Sequence, residues 1–117
     1  MTLAEVYTAL DSDLNELLGR LGSEALARRI VSMFPKDTSY QDLQKALEAN
    51  DLDAAFMAAH TLKGLSMNMS FRPLGRSASA LADVLREGQR EPEKVPECMA
   101  QVTKDYEATL AALSQLE

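Results

Sequence analysis

Residues 58–71 read AAHTLKGLSMNMSF and bring one imidazole, His60, close to one amine, Lys63, and one residue without a side chain, Gly64. His60 is the sole histidine of the chain. A zinc or iron site needs three or four ligands, and no second His or Cys lies nearby, so no metal site is expected. A Ser-His-Asp or Cys-His centre needs a nucleophile on a sharp exposed turn, and no Gly-x-Ser-x-Gly element is present. Neither GxxxxGK[ST] nor GxGxxG occurs, which leaves nucleotide binding without support. The chemistry that does fit is an imidazole acting as nucleophile toward a phosphoryl group. Histidine ordinarily titrates near ~6.5, so a neutral ring nitrogen is at hand near pH 7. Lys63, one helical turn on, is placed to stabilise the charge that arrives. In-line attack needs an approach to roughly 3–3.5 Å, and Gly64 leaves it open.

The direction of each side chain follows from a helix turning about 100° per residue. Opposite His60 fall Ala55, Ala58, Leu62, Leu65, Ser66 and Met69, all small or apolar and suited to a helix–helix seam. Beside His60 fall Phe56, Lys63, Gly64 and Met67, with Met57 close by. The imidazole is therefore expected on the outer face. Gly inside a helix costs about 1 kcal/mol relative to Ala, and this segment is otherwise rich in alanine. Something is expected to come close at Gly64. Phe56, Met57 and Met67 around the histidine read as an apolar docking patch.

These residues need a scaffold, and the rest of the chain describes it. Length of 117 residues with a lone Cys98 indicates one domain over residues 1–117 that needs neither disulfide nor structural metal. Cys98 is expected as a small buried hydrophobe. Ala, Leu, Glu and Met abound, Trp is absent, and no strand-like alternation persists, which indicates an all-α fold. A formal charge of −6 argues against a general nucleic-acid binder. No basic-then-apolar leader begins the chain and no apolar run approaches ~20 residues, so neither secretion nor a membrane span is expected. A cytoplasmic monomer is expected, and Met1 favours a free-standing protein.

Breakers divide the chain. An N-terminal segment over 2–9 precedes DSDLNELLGRLG, capped at Asp11 or Ser12 and ending near Gly22; Ser23 caps EALARRIVSMF, which Pro35 stops. Ser39 with Asp42 approximates a capping box for SYQDLQKALEAND. The next helix runs from about Leu52 to Met69, with Asp51 and Asp53 as N-terminal helix charges. Pro73 fits the first turn of a helix ending at Gly88, and the last helix spans about Pro92 or Val95 to Leu116. Short connections make successive helices antiparallel: an up-down four-helix bundle with additional short N-terminal helices.

His60-Thr61-Leu62-Lys63-Gly64 followed by Ser66 resembles the HxLKGxS/A signature of histidine-containing phosphotransfer (HPt) domains. The likeness extends through ALEANDLDAAFMAAH and LGRSASALADVLREG and covers nearly the whole chain, more loosely over the first 20 residues. The resemblance implies a four-helix bundle in a bacterial two-component phosphorelay. His60 would take phosphate from an aspartyl phosphate on a response-regulator receiver domain and hand it to another receiver. A hybrid histidine kinase is a further implied partner. Magnesium would belong to the receiver, and the domain itself would be a carrier without a cofactor or kinase site. Lys63, Gly64 and Asn68 match the family's supporting positions. Where the family usually has Gly ten residues after the histidine, Ser70 stands here, and it is expected to cap the next helix. Arg72 and Arg76 are solvated charges, placed to steer an acidic receiver if they border the docking face.

Two rival readings remain at this point. In the dimerisation domain of a sensor histidine kinase an acidic residue typically follows the histidine directly, but Thr61 stands here, and neither an ATP-binding domain nor autophosphorylation is expected. A helical adaptor that binds partners through an amphipathic groove would make His60 incidental.

Overall fold

The computed structural model describes all residues, 1–117. Seven α-helices make up the fold: α1 (Leu3–Ala9), α2 (Leu14–Leu21), α3 (Glu24–Met33), α4 (Ser39–Glu48), α5 (Leu52–Asn68), α6 (Arg72–Leu85) and α7 (Val95–Leu113). Single 3₁₀ turns at Phe34–Lys36 and Pro92–Lys94 join α3 to α4 and α6 to α7. There are no strands, and no helix is long and apolar enough to cross a membrane.

Local chemistry explains most of the boundaries. Thr2 and Glu5 form a reciprocal capping box on α1. Ser23 caps α3 by accepting from the Leu26 amide at 3.2 Å, and α2 ends where Gly22 turns left-handed, both as the sequence predicts. The cap of α2, however, is Asp13, which accepts from the Asn15 amide. Asp11 instead occupies a tight turn with φ of 49°, and the Ser12 hydroxyl donates to the Leu10 carbonyl. Ser39 is likewise not a cap: it is the first residue of α4, its amide donates to the Asp37 carboxylate, and Thr38 rather than Ser39 bonds Asp42. Asp51 caps α5 through the Ala54 amide. Helix α6 stops at Leu85, short of Gly88, because the Arg90 side chain and the Glu91 amide take the carbonyls of Leu85 and Val84. Helix α7 ends at Leu113, where the amides of Gln115 and Leu116 close the last turn.

Helices α4 to α7 form the four-helix bundle. Helix α5 packs against α4 on one side and α6 on the other, and α7 lies against α6. Tyr40 and Tyr106 close the circuit between α4 and α7, stacked at 4.0 Å, while the Tyr40 hydroxyl meets that of Thr103 at 2.8 Å. One hydrophobic cluster runs from Leu3 to Leu113, so α1–α3 share the core of the bundle. Each fully buried Leu or Phe contributes about 1.5–3 kcal/mol by leaving water. Phe71, in the connection between α5 and α6, is buried between Tyr7 of α1 and Phe34 after α3, with ring centroids at 5.5 and 5.3 Å.

Candidate functional site

Helix α5 carries the residues of interest, and its two neighbours determine which way they face. Ala55, Ala58, Leu62, Ser66 and Met69 are buried and Leu65 is half-buried, as the helical phase predicts. Ala59 is fully buried as well, although it lies off the predicted seam. Contact with both α4 and α6 widens the apolar stripe beyond that of a helix with a single neighbour. On the remaining face His60 is exposed.

The imidazole has a defined seat. Phe56, one turn earlier, stacks on it with ring centroids 5.8 Å apart and planes 22° apart. The Arg86 guanidinium, from the end of α6, lies 5.1 Å from the Phe56 ring centroid. Phe56 is half-buried and packed against the core, so it forms a floor beneath His60 more than an open contact surface. Met57 and Met67 do stand out, 61% and 56% exposed. Asn68 is exposed and Lys63 half-exposed; Lys63 enters none of the ion pairs of the molecule and is a free cation on this face.

Two glycines show opposite reasons for lacking a side chain. At Gly64 an added Cβ would meet nothing within 4 Å, so no internal contact demands glycine there. At Gly75, on α6, a Cβ would come within 3.2 Å of Met67 Cγ and 3.9 Å of Ser66 Cβ. Gly75 therefore sets the close approach of α6 to α5 beneath Met67. The run of small residues in LGRSASA was the available sign of it.

Ser70 does not cap α6. It adopts φ of 57°, in the left-handed region, and its hydroxyl accepts from Arg20 at 2.7 Å. The residue flanking α6 is Phe71, which makes no side-chain cap. Arg72 pairs with Glu16 of α2. Arg76 is exposed and, with Met67, Ser70, Arg72 and Gly75, lines a cleft of about 290 Å³ at the C-terminal end of the histidine face. Asp53 pairs with Arg90, in keeping with a charge at a helix start. Cys98 is half-buried against the core, and burial with the nearby Glu97 raises its thiol pKa, which disfavours the reactive thiolate. Nowhere do three or more His, Cys, Asp or Glu side chains gather to hold a metal.

The chain is all-helical, with an exposed imidazole stacked on Phe56 on the same face as Lys63 and Gly64, and the family model of the Hpt domain matches its residues 37–115. The chain belongs to the Hpt domain family. The matched segment takes in α4 through α7 and leaves α1–α3 outside it. No curated protein and no solved structure matches the chain significantly. Hpt domains are phosphocarrier modules of phosphorelays and interact with receiver domains of two-component systems.

Proposed function

We propose that His60 is the phosphoryl acceptor, charged by the aspartyl phosphate of one receiver domain and discharged to the aspartate of another. A ring nitrogen attacks phosphorus along the line of the breaking bond. The N–P bond forms, the P–O bond to the receiver aspartate breaks, and that carboxylate leaves with the bonding pair. In the reverse sense a second receiver carboxylate attacks and the imidazole leaves. Lys63 offsets the negative charge of the phosphorylated ring, and Gly64 gives the receiver room to reach it. Met57, Met67 and Asn68 border the docking surface, with Phe56 supporting the ring. Magnesium belongs to the receiver, which needs it to handle aspartyl phosphate; this chain supplies no cofactor of its own. A monomer suffices, because every proposed group lies on one helix.

The observation that carries the reading is Gly64. In a helix that gains about 1 kcal/mol from alanine, a glycine with open space before it has its reason outside the chain. An incoming partner supplies that reason. Mixing the protein with a phosphorylated receiver and magnesium is expected to place acid-labile label on the wild type and none on His60→Gln. Lys63→Ala is expected to slow the transfer with little change in melting temperature, since an exposed charge contributes little to stability. Absence of label on the wild type across several receivers, with receiver binding retained, would establish an adaptor instead.

A further inference from the structure

The connection from α5 to α6 is held largely from outside the family-matched segment. Arg20, on α2, aims Nη2 at three acceptors: the carbonyls of Met67 at 3.3 Å and Asn68 at 2.6 Å, and the Ser70 hydroxyl at 2.7 Å. The Tyr7 hydroxyl, on α1, donates to the Met69 carbonyl at 2.6 Å. The Ser12 hydroxyl accepts from the Arg72 amide at 3.0 Å, and Glu16 pairs with the Arg72 side chain.

Two physical needs converge on Arg20. The last carbonyls of a helix lack partners within it and carry the negative end of its dipole, so a guanidinium there satisfies both. Ser70 also bears a Cβ in the left-handed region, at φ of 57°, a conformation that surrounding contacts must impose. Met67 and Asn68, whose carbonyls Arg20 holds, form the C-terminal edge of the face that carries His60 and Gly64. His60 lies two turns earlier and rests on Phe56, which Arg20 does not touch.

We infer that Arg20 is a positioning residue for receiver recognition: by clasping the end of α5 and the Ser70 turn, it holds Met67 and Asn68 where the receiver docks. The clasp sets affinity for the receiver and leaves the chemical step at His60 alone. Helices α1 and α2 thereby belong to the recognition apparatus, although the family match begins after them. This inference rests on the phosphotransfer reading above.

The test uses the full chain and a phosphorylated receiver with magnesium, measuring initial transfer rate against receiver concentration. For Arg20→Ala the half-saturating concentration is expected to rise roughly three- to tenfold, or about 0.7–1.4 kcal/mol, because only part of what the lost charged bonds contribute to the fold reaches the docking surface. The maximal rate is expected to stay within about twofold of wild type. The rise is expected to persist at about 0.5 M salt, where long-range charge steering is screened. Arg20→Lys keeps the charge but not the planar fork; it is expected to fall between the two and serves if Arg20→Ala does not fold. Wild-type half-saturation in the variants, a loss confined to the maximal rate, or a rise that vanishes in salt overturns the inference while phosphotransfer stands. A wild-type protein that takes no label overturns both.

Discussion

Gly64 concentrates the conflict between stability and access into a single position. Its surroundings would accept a methyl group without contact, and an alanine helix is the better helix. Gly64→Ala is therefore expected to raise stability by about 1 kcal/mol, measured by urea unfolding, while phosphotransfer slows. Larger side chains at the same position should slow it further with no matching gain in stability. Unimpaired transfer in these variants would remove partner access as the reason for the glycine. His60 differs in kind: its chemistry was legible from its type and helical phase, but its seat was not. That Phe56 supports the ring and Arg86 covers Phe56 depends on where the end of α6 arrives.

Among the elements, α5 and α6 form the closest working pair. Ser66 faces α6 near Gly75, and its buried hydroxyl has no hydrogen-bond partner. An unsatisfied buried polar atom costs about 1–3 kcal/mol, and serine is a poorer helix former than alanine. Ser66→Ala keeps the small volume that the contact needs and removes both penalties. It is expected to stabilise the protein by about 1 kcal/mol, read from the midpoint of denaturation at unchanged m-value. The element boundaries illustrate what periodicity could foresee. Ser23, Gly22 and Pro73 signalled their roles by local chemistry alone. Asp13 displaced Asp11 and Ser12 as the cap of α2, because capping-competent residues stand side by side there and the surrounding contacts selected among them, while Thr38 and Phe71 flank α4 and α6 without any side-chain cap.

For the whole molecule, the joint between α1–α3 and the bundle is the feature with the widest consequences. Tyr7 is buried there, and burial raises its phenol well above the ordinary tyrosine value, the charge of Arg20 opposing this weakly. The folded pKa being raised, the stabilisation is fully present below about pH 10 and is lost as pH climbs through the folded value. Tyr7→Phe leaves the Met69 carbonyl without its donor, so at pH 8 the variant is expected to be less stable by about 1–3 kcal/mol. That gap is expected to shrink at pH 11, where wild-type unfolding is favoured by ionisation and the variant is indifferent; urea unfolding at the two pH values checks it. A gap that held constant would show that Tyr7 does not ionise on unfolding. Composition and apolar spacing by themselves determined the all-α class, the order of the principal helices and the outward phase of His60, because each depends on neighbours within a few turns. The Arg20 clasp on Ser70, the Gly75 approach beneath Met67 and the Phe56 seat under the imidazole were decided only in the tertiary structure. Each joins residues from different helices, whose spacing along the chain carries no sign of their meeting.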